Sequence, residues 1–308
     1  MRGKVLIIGS LNVDLVARAE RLPSPGETVI GGTFHVAAGG KGANQAVAAA
    51  RMGASVEMIG RIGNDNFGSM VRGELAHAGV GVDHLLVDPV AATGTGHVFI
   101  DAQGQNAIIV ASGANERVAA DDPAKATAAW SDVALVVLQL EVPLTTVAAS
   151  IHEATRRGLP VLLNAAPARA LSKELLQPLT WLVVNEIEAE QLSGRPVRSP
   201  DDALKAASFL RHDSQRVAIT LGAAGAIFLN GETGCHIAAP NVEVVDTTAA
   251  GDAFVGALAA ALTAGSDDET AARRAVIAGS LACTKLGAIP SLPTAAEVDG
   301  FQQAATRR

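Results

Sequence analysis

The run Val245-Asp246-Thr247-Thr248-Ala249-Ala250-Gly251-Asp252-Ala253-Phe254 is the stretch best suited to chemistry. It joins a short β-branched run to an alanine-rich helical segment through small residues flanked by two aspartates. Small residues let backbone N–H groups approach an anion closely, and the positive end of the following helix adds to the attraction. Asp252, a carboxylate beside such an anion, can accept a proton from an attacking hydroxyl. The pattern predicts phosphoryl transfer, with anion cradle and base on one turn. The helix end is expected to keep Asp252 ionised at neutral pH.

Four further motifs offer polar groups at the ends of predicted elements. Gly9-Ser-Leu-Asn12-Val-Asp14 follows the first strand, and Asn12 and Asp14 alternate with apolar neighbours, so an amide and a carboxylate can share one face suited to a polyol. Gly39-Gly40-Lys41-Gly42-Ala43-Asn44 opens a helix. It is not a Walker loop, because His35 stands where that loop needs glycine and Gly42 where it needs serine or threonine. Nor does the first strand lead into a dinucleotide fingerprint. What remains is a glycine pair with Lys41 and Asn44 displayed at a helix start, which suits a small polar substrate. Asn185-Glu-Ile-Glu188-Ala-Glu190 opens another helix, with Asn185 as its cap. Its acids complement the helix dipole, and one of them could also serve a hydrated Mg²⁺. Thr220-Leu221-Gly222-Ala223-Ala224-Gly225 joins two strands, and its glycines permit a tight turn beneath a flat ligand. Glu141 leaves a buried strand, where it is either solvated or a ligand for hydroxyls.

The elements that position these residues alternate. Apolar runs at Val5–Ile8, Val56–Ile62, Ala134–Leu140, Pro160–Leu163, Trp181–Val184, Arg216–Leu221 and Ala226–Leu229 read as strands. Helical segments follow at Gly42–Met52, Phe67–Ala78 and after Pro143, and two alanine-rich helices, Ala250–Ala264 and Glu269–Leu286, finish the chain. The alternation predicts an α/β fold with a mostly parallel central sheet and helices on both faces. Two segments break it. Asp14–Val36 is rich in Pro and Gly, and Thr93–Ser112 reads as a hairpin around Asp101–Gly104. They are expected to pair into a small β-sheet lid, spanning about 14–38 and 93–113, on a single domain covering 1–308.

Composition narrows the classes. Of 308 residues, 49% are hydrophobic and 18% charged, enough for a sizeable core. A net charge of -7 argues against a nucleic-acid face, so an anionic ligand must be held by local devices. Cys235 and Cys283 lack metal or disulfide spacing and are expected to be buried, reduced thiols. No apolar run is long enough for a signal peptide or a bilayer span, which points to the cytoplasm.

Taken together, these motifs resemble the ribokinase family of carbohydrate kinases, in Gly39–Asn44 and Asp246–Asp252 and also in Leu140-Glu141, Asn164–Ala168, Asn185–Glu190 and Gly287–Ser291. The resemblance implies that Asn12, Asp14, Gly40, Lys41, Gly42, Asn44 and Glu141 hold a sugar, with Asp252 as catalytic base. It implies that Asn185, Thr220, Leu221, Gly222, Ala223, Ala224, Gly225 and Gly251 line the ATP site, that Glu188 helps place Mg²⁺, and that Ala249–Gly251 supply the anion hole. A monovalent cation, K⁺, would sit at Asp246, Thr248, Ala282, Lys285, Gly287 and Ser291, and the protein would be a homodimer through the lid. Val276 departs from the family pattern, which has His or Asn beside the adenine.

Asp14, Glu141 and Asp252 against a lone Lys41 make the expected pocket acidic, which repels a phosphorylated or carboxylated sugar. A neutral pentose is expected, ribose first and deoxyribose or another free sugar next. A nucleoside would want stacking surface, yet aromatics are 3% and tyrosine is absent. A catalytically silent sugar-binding protein on this fold is the outside alternative, and retention of Asp252 and the Gly251 turn argues against it.

Overall fold

A computed structural model of the chain describes residues 3–213 and 215–306. Fourteen strands are found among them: β1 (Lys4–Ile8), β2 (Asn12–Arg18), β3 (Thr33–Gly39), β4 (Val56–Gly63), β5 (Val80–Gly81), β6 (Leu85–Asp88), β7 (Gly94–Ile100), β8 (Asn106–Ala111), β9 (Val133–Leu138), β10 (Val161–Asn164), β11 (Trp181–Asn185), β12 (Arg216–Thr220), β13 (Ala226–Asn230) and β14 (Thr233–Ile237). The large sheet runs β14-β13-β12-β11-β10-β9-β1-β4-β5, with β6 also paired to β4. It is parallel from β12 through β5, and only the β12–β13–β14 edge is antiparallel.

Alternate strand residues feed two cores, one on each face. Val5, Ile7, Leu135 and Val137 join the core beneath the helices Lys41–Arg51, Ala250–Ala264 and Asp268–Ala282. Leu6, Ile8, Val136 and Leu138 join the other, beneath Leu144–Arg156 and Pro200–Leu210. Such strands read as continuous apolar runs because both faces are covered. Parallel pairing brings the carboxyl ends of β1, β9, β11 and β12 to one edge, where a ligand crevice is expected.

The second sheet, ordered β3-β2-β7-β8, forms from the two predicted excursions. It begins slightly earlier than the sequence suggests, since β2 opens at Asn12 and β3 runs to Gly39. Two other readings need correction. The last of the two alanine-rich helices stops at Ala282, short of Leu286, and a further helix, Ala295–Thr306, follows. Cys235 lies exposed on β14, the outermost strand of the antiparallel edge, rather than buried; Cys283 is half-buried.

Candidate active site

The helices Lys41–Arg51 and Ala250–Ala264 pack closely where alanine and glycine face each other; a Cβ on Gly256 would come within 2.7 Å of Ala49 N. That approach sets the start of one helix against the start of the other. Asp252, nearly fully buried, accepts from Asn44 Nδ2 at one oxygen and Gln45 Nε2 at the other, both at 2.9 Å.

The Ala250–Ala264 helix has no side-chain cap. Ala249 precedes it at φ 60°, in the left-handed region, and the N–H groups of Gly251 and Asp252 find no acceptor among the described residues. A Cβ on Gly251 would meet nothing within 4 Å, so this backbone faces open space. Unpaired N–H groups at a helix start form an anion site.

Two cavities meet here. One, of about 410 Å³, is bordered by Thr220, Gly222, Ala223, Gly225, Val276 and Gly279, with Gly251 at its end. Val276 therefore presents an apolar wall. The other, of about 220 Å³, holds Lys41, Asn164, Asn185, Glu188, Gly251 and Asp252. Leu221 and Ala224 line neither cavity, in contrast to the expectation: Leu221 packs on the core and Ala224 O sits 2.6 Å from His236 Nε2.

Charge is concentrated around Asp252. Burial drives its carboxyl up, opposed by Lys41, Asn44 and Gln45 and reinforced by Glu141. Desolvation is the largest of these influences, so burial works against the ionised form that the helix end favours. Asp14 is pushed up to about 6 by burial, then by Glu141 and Asp252. Burial draws the Lys41 ammonium down, but Asp252, Glu141 and Glu188 outweigh it and hold it above its ordinary value.

Glu141 does more than face the cleft. Its Oε2 accepts from Ser10 Oγ at 2.6 Å and from Lys41 N at 3.0 Å, while Ser10 Oγ accepts from Gly42 N at 3.2 Å. Gly40 holds the turn before that helix at φ 89°. Asn12 and Asp14 stand on β2 as expected. Asn12 is gripped by Asn115, whose Nδ2 donates to Asn12 Oδ1 at 2.7 Å. Asp14 is framed by Gly39 and Gly96, and Asn12 by Gly94; a Cβ at any of the three would overlap these side chains.

Asn185 and Glu188 form a reciprocal capping box: Glu188 N donates to Asn185 Oδ1 at 2.8 Å, and Asn185 N to Glu188 Oε2 at 2.9 Å. Glu188 still borders the cavity shared by Lys41 and Asp252, and burial leads in raising its carboxyl. Of the residues expected around a monovalent cation, Asp246, Thr248 and Gly287 meet: Asp246 accepts from Thr248 Oγ1 at 2.6 Å and from Gly287 N at 2.9 Å. Ala282 ends the neighbouring helix. The side chains of Lys285 and Ser291 point elsewhere, to Glu297 at 2.6 Å and Ala288 O at 2.8 Å, so these two have only backbone groups to offer. Ser10, Gln45, Asn115 and Gln139 were missed by the sequence reading; each acts on a partner about 30 to 210 positions away, which no local motif signals.

Residues 2–295 match the family model described as pfkB family carbohydrate kinase. The chain belongs to this family. The kinase is 37% identical over 303 residues to the ribokinase of Haemophilus influenzae, covering 98% of this chain and 99% of that one. It is 35% identical over 292 residues to a deoxyribokinase of Salmonella typhi, covering 94% and 95%. The structure of Arabidopsis thaliana ribokinase complexed with ribose and ATP superposes on the kinase with a TM-score of 0.87 at 32% identity, covering 98% and 99%. No helix among the described residues is long and apolar enough to cross a membrane.

Proposed function

We propose that the kinase transfers the γ-phosphoryl group of ATP to the terminal hydroxyl of D-ribose, giving D-ribose 5-phosphate. The observation that carries this reading is the position of Asp252, in the smaller cavity and next to Gly251, which borders both cavities and whose N–H is unpaired among the described residues. In it the nucleotide lies in the larger cavity, over Thr220, Gly222, Ala223 and Gly225, and its γ-phosphate meets the Gly251 and Asp252 N–H groups. Asn12, Asp14, Gly40, Lys41, Gly42, Asn44 and Glu141 hold the sugar. Asn44 supports this, because its Oδ1 is buried without a partner and offers an acceptor to a hydroxyl. Asp252 orients the attacking hydroxyl and takes its proton, while backbone N–H groups and Lys41 balance the charge on the transferring group.

Mg²⁺, when bound, neutralises phosphate charge. Glu188, with one oxygen outside the capping box and Asn185 beside it, fits that role. K⁺ fits the Asp246–Thr248–Gly287 crossing, together with backbone groups of Ala282, Lys285 and Ser291. The whole chain acts as one kinase domain with the small sheet as its lid. Exposed Phe34, Phe99 and Ile109 on that sheet support a homodimer through the lid. The two cysteines, unpaired among the described residues, are consistent with a cytoplasmic setting.

Deoxyribose is the second reading, favoured by the deoxyribokinase relative. ADP release coupled to a panel of ribose, deoxyribose, fructose and adenosine tests both. Ribose is expected to give the highest kcat/KM. Preference for deoxyribose would replace the first reading with the second, and binding of sugars without turnover would remove both. Light scattering at working concentrations checks the dimer, and a monomer would refute it.

A further inference from the structure

Behind Asp252 runs a chain of buried amides. Gln139 Nε2 donates to Gln45 Oε1 at 2.7 Å, and Gln45 Nε2 donates to Asp252 Oδ1 at 2.9 Å and to Asn164 Oδ1 at 3.0 Å. Asn164 Nδ2 in turn donates to Val183 O at 3.2 Å. Both Nε2 protons and the oxygen of Gln45 are therefore engaged. Turned over, this amide would set its oxygen against two acceptors and its nitrogen against a donor, so one orientation is enforced. Gln45 and Gln139 are 0% exposed, which keeps both out of reach of a ligand in the cleft.

Asn44 and Gln45 are consecutive on one helix and take the two oxygens of one carboxylate on another. Such a bracket fixes both the rotation and the depth of the carboxylate. Asn44 keeps a buried Oδ1 without a partner, whereas every polar group of the Gln45 side chain is engaged.

We propose that Gln45 is a positioning residue for phosphoryl transfer, holding the Asp252 carboxylate in its productive orientation, with Gln139 locking Gln45 in turn. The inference rests on Asp252 being the base. It also predicts how the base titrates. Burial drives the Asp252 carboxyl up, Asp14, Glu141 and Glu188 add like charge, and Lys41 and the two amides oppose them. Removing one amide N–H from a buried carboxylate pushes it further up.

Gln45→Met keeps the side-chain length and removes every hydrogen bond. The expected result is a kcat about tenfold lower at neutral pH, an unchanged KM for ATP, and an acid limb of the kcat–pH profile moved up by about one unit. Gln45→Glu, near-isosteric and charged, is expected to move the limb further in the same direction. Gln139→Met, one link farther out, is expected to give a smaller shift of the same sign, and it carries the test if Gln45→Met does not fold. Asp252→Asn measured alongside separates the two ideas. Normal turnover by that variant removes the base and this inference with it. If Asp252→Asn is inactive while the Gln45 and Gln139 variants keep the wild-type kcat and acid limb, the Gln45 inference alone is overturned. A lower kcat with an unmoved limb overturns it as well, because that is what loosened packing would give.

Discussion

Glu141 Oε2 lies 3.0 Å from the backbone nitrogen of Lys41, one hundred residues earlier in the chain. The carboxylate thus caps the Lys41–Arg51 helix, whose own N-cap residue, Gly40, has no side chain to do so. Glu141 is both a wall of the proposed sugar pocket and a structural tie. Glu141→Ala should lower stability by about 1–2 kcal/mol through the lost cap, and should also raise the KM for sugar. Glu141→Gln keeps an acceptor and should restore most of the stability but not the sugar affinity. Chemical denaturation and sugar titration read the two effects separately.

The pH response follows from Asp14. Its carboxyl, raised to about 6, belongs to a group more readily protonated in the folded state than in the unfolded one. Its stabilising contribution is therefore complete below the unfolded value of 3.8 and is lost as pH rises through about 6. At neutral pH the ionised Asp14 costs stability, and Asp14→Asn should unfold at higher denaturant by roughly 1–2 kcal/mol. In the proposed function the same ionised form accepts sugar hydroxyls, so kcat/KM for sugar should fall below about pH 6. Asp14→Asn should bind sugar weakly and lose that limb.

Ala249 occupies the left-handed region at φ 60°. An L-residue there costs about 1 kcal/mol, more if β-branched. Ala249→Gly should stabilise the chain by roughly 0.5–1 kcal/mol. Ala249→Val should destabilise it by about 1–2 kcal/mol and, by turning the Gly251 and Asp252 N–H groups, reduce kcat by about tenfold or more. Urea unfolding and initial rates test both directions.

Asp246 uses one oxygen for Thr248 and the other for Gly287 N. Asparagine can satisfy only one side, because its NH₂ would face a donor at the other. Asp246→Asn should need a higher K⁺ concentration for half-maximal rate and lose about tenfold in kcat. A variant with unchanged K⁺ dependence would remove the cation assignment.

Much of this molecule could be read from its sequence, and the reason is local. β1, β9, β10 and β11 are covered on both faces, so they read as unbroken apolar runs. Ala249–Asp252 carries its chemistry in adjacent residues. The unread parts depend on distant partners. Asn115 matters because Asn12 lies beside it, and Gln45 because Gly256 lets two helices meet. The burial of Asp252 is unread for the same reason: the helix end is visible in sequence, whereas the desolvation that raises this carboxyl is set by the fold.

Gly39, Gly94 and Gly96 come from two different strands, yet all three make room for the side chains of Asn12 and Asp14. None tolerates even a methyl group without displacing one of the two. The floor of the proposed sugar pocket is consequently closed to gradual change, and redesign of sugar choice has to begin elsewhere on its rim. Directed evolution of this chain should return variants at the edges of the pocket while these three positions stay fixed.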